Sequence, residues 1–274
     1  MKQNRNGGAV KWILIGISAF FLFLFLILPL IYILSTALRE GWQSYVGSVT
    51  DPYAVKAILL TLKTTAIALL TNTVCGVFAA WCITKFTFRG KKVLSTLIDL
   101  PLSVSPVIAG LALLLTFGRQ SILDPVLEAL DISIVYAFPG IVIATVFVTF
   151  PFVSREIIPV MTSAGTDEEE AAALMGANGW TIFWKVTFPH IKWALLYGMV
   201  LCTARAMGEF GAVSVISGHL SGKTNTMPLY IELLYQGYDF TGAFAMSSIL
   251  VIMAVLVLIL KNVLEHLGRK ESEE

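Results

Sequence analysis

The chain has 274 residues and a formal net charge of +1, with 57% hydrophobic and only 14% charged residues. Soluble domains carry about 25% charged residues, so this composition excludes an ordinary soluble globular protein. The near-neutral charge also argues against nucleic acid or another acidic partner. Because the charges occur in clusters separated by long apolar stretches, the composition is typical of a multi-pass membrane protein.

Six apolar stretches are each long enough to cross a bilayer, which requires roughly 20 residues per helix. Five of them contain no charged residue, and the other is interrupted only by Arg205, Glu209 and His219. The six stretches are 12–38, 64–84, 100–118, 132–154, 193–220 and 240–260. We therefore predict an all-α membrane protein with six transmembrane helices.

The first stretch has a basic flank formed by Lys2, Arg5 and Lys11, as a cleaved signal peptide would have. It is 27 residues long, however, whereas the core of a signal peptide has about 7 to 15. No cleavage-site pattern of small residues follows it. A retained transmembrane helix is therefore the better interpretation.

The distribution of Lys and Arg predicts the orientation. With six helices, 13 of these residues fall on the side of the two termini and 5 on the other side. Cytoplasmic loops carry the excess of positive charge in membrane proteins. We therefore expect both termini in the cytoplasm, and the longest cytoplasmic loop at 155–192.

Pro106 lies inside the third stretch. Because it cannot donate a hydrogen bond to the carbonyl four residues earlier, we expect a kink or a polar cavity there.

Cys75, Cys82 and Cys202 all lie in apolar stretches, and none has a His at metal-ligand spacing. Free cysteines in such surroundings behave as small apolar residues. We interpret the three as packing residues and expect no metal site.

The predicted cytoplasmic loop contains a short helix with a marked start. Thr166 and Glu169 have the spacing of a capping box. The acidic residues 167–169 lie in the first turn, where the helix dipole favours negative charge. Good helix formers follow at 171–175.

The same helix has a marked end. Gly176, Asn178 and Gly179 permit the left-handed backbone conformations that terminate helices. We expect a second short helix at 180–186 that stops before Pro189. These residues alone fit equally well a solvated connector held against the membrane helices, because capped short helices are common in loops.

A longer pattern in this loop resembles the EAA loop of bacterial ABC importer permeases, which reads EAA, three residues, Gly, nine residues and I-x-L-P. Val replaces Ile and Phe replaces Leu in the present chain. The matching residues are Glu170, Ala171, Ala172, Gly176, Val186 and Pro189. The resemblance implies a coupling helix that seats in a cleft of a separate ATPase subunit, with Glu170 placed to pair with a basic group there.

Arg205 and Glu209 are four residues apart in the fifth stretch, so they share a helix face and can form an ion pair. A charge within the membrane normally faces the bundle interior or a water-filled cavity. An internal salt bridge that locks the bundle is one interpretation. A contribution of Arg205 to an anion path is compatible with it.

Three further segments resemble the sulfate and molybdate branch of ABC permeases, and among these the W-type permease subunit of sulfate/thiosulfate importers: 99–110, 204–218 and 217–229. The resemblance implies a type I permease domain at 55–262. An N-terminal cytoplasmic segment, the first helix and the first outer loop precede it at 1–54, and a cytoplasmic tail follows at 263–274. Ser103 and Ser105 are candidate path-lining residues.

The resemblance also implies partners in a bacterial inner membrane. These are membrane lipid, a homologous T-type permease subunit, two copies of an ABC ATPase and an extracytoplasmic sulfate/thiosulfate-binding protein. ATP and Mg are then used by the ATPase, and this chain binds no cofactor itself. A molybdate or tungstate permease is the main alternative. A secondary anion transporter is a weaker one, because only the Arg205–Glu209 pair offers it a coupling group at membrane depth.

Two other functions are not favoured. The segment 218–224 resembles a phosphate-binding P-loop, but three residues separate its glycines where that motif needs four. His190, His219 and His266 are scattered, so no nucleophile and base, and no ligand cluster, points to a membrane enzyme.

Overall fold

The computed structural model describes residues 6–119 and 121–273, and all regular secondary structure in these two ranges is helical. The helices up to residue 129 are α1 (Asn6–Leu22), α2 (Leu28–Ala37), α3 (Trp42–Thr50), α4 (Pro52–Lys85), α5 (Lys91–Ser103), α6 (Pro106–Phe117) and α7 (Asp124–Ala129). The later helices are α8 (Phe138–Thr149), α9 (Pro151–Ala164), α10 (Asp167–Leu174), α11 (Gly179–Ile182), α12 (Phe188–Met207), α13 (Gly211–Ile216), α14 (Met227–Gln236) and α15 (Phe240–Glu273).

Among the described residues, four helical segments are long and apolar enough to cross a membrane: Lys11–Ala37, Pro52–Lys85, Phe138–Ala164 and Phe240–His266. Helices α5 and α6 meet the same standard only as a pair, which is bent by 111°. The count is therefore four, or five if the bent pair is one span. The stretch 193–220 is not among them, and its helix α12 ends at Met207. The predicted count of six stays a prediction.

Several helices extend beyond the charge-free stretches that predicted them. Helix α4 begins at Pro52 and includes Lys56 and Lys63, which we expected in an outer loop. Helix α9 includes Arg155 and continues to Ala164, so the loop predicted at 155–192 begins later than expected. Long cationic side chains reach water from within a helix, so the first charge does not mark the helix end.

The kink expected at Pro106 is confirmed. Helix α5 ends at Ser103, and α6 begins at Pro106 after extended backbone at Val104. The residue before a proline is disfavoured in the helical conformation, which explains why the helix is interrupted at this point.

Two other prolines are accommodated by a π-helical turn that precedes them. The turns are Phe23–Ile27, before Pro29, and Phe183–Thr187, before Pro189. A proline lacks the N–H, and its ring clashes with the carbonyl four residues earlier, so the wider turn lets the helix continue. The expected stop before Pro189 is therefore wrong, since helical structure continues into α12.

Three clusters of buried apolar side chains hold the bundle together. One joins α4, α9 and α12 around Val153, a second joins α8 and α13 around Val213, and a third joins α4, α14 and α15 around Met246. Small residues let the backbones approach: a Cβ on Gly198 would lie 3.0 Å from the Cα of Val153. Close packing through small residues is typical of membrane helices.

The segment Lys11–Ala37 packs differently, because its most hydrophobic part buries none of its residues within the chain. Trp12, Phe20 and Phe25 are among its exposed side chains. In a membrane protein, such a surface faces lipid or another subunit.

The cysteines have three different environments. Cys202 is buried and accepts a hydrogen bond from Asn72 Nδ2 over 3.6 Å, while the same amide donates to Thr149 Oγ1 over 2.7 Å. Cys82 is half-buried. Cys75 is exposed, so a packing role for it within this chain is wrong, because this face of α4 is left open.

Asp51 fixes the start of α4. Its carboxylate accepts hydrogen bonds from the backbone N–H groups of Tyr53 and Ala54 and from the Tyr230 hydroxyl, the last over 3.2 Å. Burial, together with the nearby Asp51 carboxylate, raises the pKa of Tyr230 to about 12. The hydroxyl therefore remains a donor at neutral pH and holds α14 against the start of α4.

Candidate functional site

Helix α10 carries the EAA-like loop, by which we mean residues 166–189. Its first turn contains four acidic residues, which the helix dipole stabilises: Asp167, Glu168, Glu169 and Glu170. The capping box predicted for Thr166 and Glu169 is wrong. The Thr166 hydroxyl makes no capping hydrogen bond and instead donates to Glu170 Oε1 over 2.9 Å. Glu169 is not available as a cap because its carboxylate turns toward the bundle.

The helix ends at a glycine, as predicted. Gly176 has a φ of +85°, in the left-handed region, and its N–H donates to the Ala173 carbonyl over 3.0 Å. The same role predicted for Asn178 and Gly179 is wrong. Asn178 caps α11, with its Oδ1 accepting from the Thr181 N–H over 2.8 Å, and Gly179 is the first residue of that helix.

A largely buried ion pair ties α10 to the end of α4. Lys85 Nζ lies 3.0 Å from Glu169 Oε1, and the side chains are only 9% and 19% exposed. Lys85 also donates to the Gly165 carbonyl over 2.5 Å, and the Thr187 hydroxyl donates to Glu169 Oε1 over 2.7 Å. The carboxylate thus connects α4, α10 and the turn before α12. A charge removed from water in this way must keep its partners.

A second tie, by which we mean a side-chain contact that joins α10 to another helix, connects α10 to α12. His190 Nε2 lies 2.7 Å from Glu168 Oε2, and both side chains are largely exposed. Val186 lines the small pocket between these two ties, together with Lys85, Glu168 and Glu169. The second half of the EAA-like pattern therefore forms the inner wall against which α10 rests.

The outer face of the EAA-like loop has no partner within the described part of the chain. Leu174, Met175 and Trp180 are 90%, 87% and 72% exposed, and Glu170 and Ala171 are also exposed. Large apolar side chains that cluster on an open surface mark a protein interaction site. A merely solvated connector does not require them, so this geometry favours a docking surface.

A second site lies where the predicted fifth helix is broken. Helix α12 ends at Met207 and α13 begins at Gly211. Arg205 Nη1 lies 2.6 Å from Glu209 Oε2, so the two predicted partners do pair. They do not share one helix face, however, because Glu209 follows the end of α12. Its Oε1 accepts from the Ala212 N–H over 2.8 Å, so the carboxylate also holds the start of α13.

The pair is buried unequally. The Glu209 side chain is 0% exposed, whereas that of Arg205 is 33% exposed. A carboxylate excluded from water needs a charged partner or several hydrogen bonds. Glu209 has an ion pair and a backbone donor, and the Arg205 side chain remains partly exposed.

The break in α12–α13 lies beside the bend in α5–α6. A Cβ on Gly211 would lie 2.9 Å from the Cβ of Pro106, and one on Gly110 would lie 2.5 Å from the Ala212 carbonyl oxygen. Ser103 and Ser105, at the bend, are both exposed. The structure thus brings Ser105 and its neighbour Pro106 to the same region as the Arg205–Glu209 pair.

The P-loop-like segment lies between α13 and α14. Gly218 packs against the ring of Tyr136, and Gly222 packs against Tyr53. The His219 Nε2 atom lies 2.9 Å from the Ser214 carbonyl oxygen. These contacts occupy the loop with the chain's own side chains, which is not the open backbone cradle of a P-loop.

Among the described residues, no group of three or more His, Cys, Asp or Glu side chains is placed to hold a metal ion.

Comparison with known proteins identifies the family to which the chain belongs. Residues 72–272 match the family described as "binding-protein-dependent transport system inner membrane component". The chain belongs to that family. It is therefore a non-catalytic permease subunit of an ATP-binding-cassette importer in the inner membrane, and ATP is hydrolysed by a separate subunit.

Curated relatives of this permease cover most of its length. It is 46% identical to the sulfate transport system permease protein CysW of Escherichia coli K12, over 96% of this chain and 90% of the relative. It is 47% identical to the CysW protein of Synechococcus elongatus, over 94% and 91%. The CysT protein of E. coli K12 is 35% identical, over 93% of each.

Solved structures share the fold of this permease at low sequence identity. A chain of a bacterial ABC transporter that imports the acidic polysaccharide alginate superposes with a TM-score of 0.77, at 19% identity, over 97% of this chain and 99% of that one. An amino acid ABC transporter gives a TM-score of 0.56 over 78% of this chain and 94% of that one. Both are ABC transporters, in agreement with the predicted type I permease fold.

Proposed function

We propose that this permease forms half of the path by which an ATP-driven importer carries sulfate or thiosulfate into the cell. The observation that supports the substrate class is the identity of 46–47% with relatives named sulfate transport system permease protein, over more than nine tenths of the chain. The oxyanion is a dianion, so its path needs positive potential without a strongly binding charge.

The complex contains a second, T-type permease subunit, two ATPase copies and an extracytoplasmic binding protein. The likeness to CysT as well as CysW supports a heterodimer of two homologous halves. A neighbouring alginate transporter structure is described as a complex with its periplasmic protein. Both termini of the chain lie in the cytoplasm, α12 serves as the fifth of six crossings, and the bent pair α5–α6 serves as the third.

The EAA-like loop receives the movement of the ATPase. Glu170, Ala171 and the exposed Leu174, Met175 and Trp180 form the docking face. The ties from Glu169 to Lys85 and from Glu168 to His190 pass a displacement of α10 to α4 and α12. Rigid-body rocking of packed helices then exposes the path to alternate sides.

Arg205, Ser103 and Ser105 line the path near the two helix breaks. The guanidinium supplies positive potential, and Glu209 limits its strength by pairing with it. A weak site suits a permease, because a ligand that binds too tightly leaves slowly.

Uptake of labelled sulfate by cells that lack this chain tests the proposal. We expect uptake to fall to background and to return when the gene is supplied again, with excess unlabelled molybdate having little effect on the restored uptake. Loss of molybdate uptake, with sulfate uptake intact, would instead assign the chain to the molybdate branch.

The tie between Lys85 and Glu169 gives a separate prediction about coupling. Lys85→Gln leaves the nearly buried Glu169 carboxylate without its cation, so α10 loses its hold on α4. We expect sulfate uptake by the assembled transporter to fall by about tenfold, the effect of roughly 1.4 kcal/mol, while ATP hydrolysis continues.

The exchange of the two charges, Lys85→Glu with Glu169→Lys, should recover part of that uptake. The matched control is Lys261→Gln, because Lys261 lies 3.9 Å from Glu265 in a more exposed pair. Unchanged uptake in the Lys85→Gln transporter would show that the tie does not transmit the movement.

A further inference from the structure

Helix α5 carries a line of polar residues on the side opposite its buried residues. Lys92, Thr96, Asp99 and Ser103 are spaced by four, three and four residues, so they form one stripe along the helix. Three of them are exposed, and the side chain of Asp99 is 45% exposed. We call these four residues the polar stripe.

The other faces of α5 have a different character. Val93, Leu97 and Leu100 form a neighbouring apolar stripe and are 62%, 54% and 39% exposed. Ile98 and Pro101 are buried against the bundle. A membrane helix with one apolar face and one polar face outside its packing contacts lies between lipid or protein and water.

The polar stripe meets a cation from another helix. Arg155 Nε of α9 lies 3.2 Å from Asp99 Oδ1, and the Arg155 side chain is 58% exposed. Asp99 is eight residues from the start of α5 and Arg155 is nine residues from the end of α9, which places them about 12 and 14 Å from those helix ends. The end of α9 is level with the end of α4, because Lys85 bonds to Gly165.

This ion pair therefore lies within the membrane-spanning helices and is half-open in the single chain. Lipid is an unfavourable neighbour for such charges, so the open side of the pair faces either another protein surface or a water-filled space. The stripe continues to Ser103 at the bend, beside the region of Arg205. Lys92 and Arg155 carry two positive charges against one negative charge on Asp99.

We propose that the polar stripe with Arg155 lines the cytoplasmic half of the translocation path, and that its net positive charge forms a second, inner site that attracts the oxyanion. This inference rests on the proposed function for the identity of the anion. The Arg205 region and the Arg155–Asp99 pair then form two weak anion-binding sites. In each of them, one carboxylate partly neutralises the charge of an arginine.

The test measures the electrostatic potential at Ser103 directly, with no sulfate present. Ser103→Cys is introduced into a chain whose own three cysteines are replaced by alanine, and the complete transporter is placed in lipid nanodiscs. The labelling rates of an anionic and a cationic methanethiosulfonate reagent are compared. We expect both reagents to react at position 103. We also expect the ratio of anionic to cationic labelling rates to be higher there than the same ratio measured with a free thiol in solution.

Charge changes should move this preference in opposite directions. Arg155→Gln should lower the ratio of anionic to cationic labelling by about fivefold or more, and Asp99→Asn should raise it by a similar factor. The double variant should return near the starting ratio. Lys223→Gln, which removes one positive charge from the exposed loop between α13 and α14, should leave the ratio unchanged.

Absence of labelling at position 103 would overturn the proposal, because the stripe would then be covered by lipid or by the second subunit. A ratio of anionic to cationic labelling that stays the same in both Arg155→Gln and Asp99→Asn would also overturn it. If Arg155→Gln does not assemble, the Asp99→Asn variant alone still decides. Since no substrate is used, these outcomes are separate from any error in the choice of sulfate.

Discussion

The Gly176→Pro variant should insert into the membrane and assemble, yet transport almost no sulfate. Gly176 has a φ of +85°, whereas proline fixes φ near −65°, and the substitution also removes the N–H that bonds to Ala173. A proline that cannot adopt the native φ and removes a bonded N–H destabilises the structure by more than about 1 kcal/mol, which disrupts the end of α10. The exposed face that includes Leu174 and Met175 would then lose its shape.

The expected reduction in ATP-driven uptake is at least about a hundredfold, because docking and transmission both depend on this face. Glu170→Ala should have the smaller effect of about tenfold, since it removes one charged contact and the partner of the Thr166 hydroxyl. Gly179→Ala is the matched control: its backbone is helical, and a Cβ there would meet nothing within 4 Å. Normal uptake by Gly176→Pro would refute the coupling role.

The second large effect concerns Arg205 and Glu209, whose substitutions should be strongly coupled. Arg205→Gln leaves a fully buried carboxylate without its cation, and breaking a buried pair in this way costs about 3 to 5 kcal/mol. Glu209→Gln should cost less, because Arg205 is one-third exposed and the glutamine oxygen still accepts from Ala212. The amount of folded protein in the membrane measures both.

The double change to Gln at both positions should recover most of the folded protein, because no charge is then left unpaired. Recovery of sulfate uptake as well would mean that the pair is only structural, whereas recovery of folding without uptake would assign Arg205 to the path. The matching double change at Lys261 and Glu265, a more exposed pair at 3.9 Å, should alter folding by less than about 0.5 kcal/mol. If the single and double changes at Arg205 and Glu209 lower the amount of folded protein equally, the two residues do not interact.

Local sequence signals predicted the main features of both sites. The helical character of 167–174 followed from its acidic first turn and alanines, and its end followed from Gly176. The ion pair of Arg205 and Glu209 followed from the cost of charges within the membrane. These features depend on residues that are close in the chain, so a single sequence contains the necessary information.

The features that the sequence did not predict depend on distant residues. The Glu169 carboxylate was expected to cap its own helix, but it pairs with Lys85, which is 84 positions earlier in the chain. Tertiary contacts of this kind compete with local capping and prevail when they satisfy a nearly buried charge. The break at Gly208 is not evident from the sequence for a related reason. The apolar stretch continues through it, whereas the contacts that accompany the break join α13 to Pro106 and Gly110 in another part of the chain.

The polar stripe on α5 is present in the sequence as a periodic signal at 92, 96, 99 and 103, but its charged residues Lys92 and Asp99 lie outside the charge-free stretch that begins at residue 100. The periodicity of polar and apolar residues over the whole range 91–103 reveals the stripe. The partner of Asp99 could not be found that way, because the ion pair with Arg155 joins two helices.

The most direct measurement for the whole account is ATP-driven sulfate uptake by the purified complex. A tag on this chain should recover the chain itself, a T-type permease subunit and two ATPase copies. Proteoliposomes that contain this complex, with the binding protein outside and ATP available to the ATPase, should accumulate labelled sulfate, and omission of ATP should stop uptake. Sulfate uptake that persists without the ATPase and follows an ion gradient, or full transport with this chain as the sole permease subunit, would contradict the account.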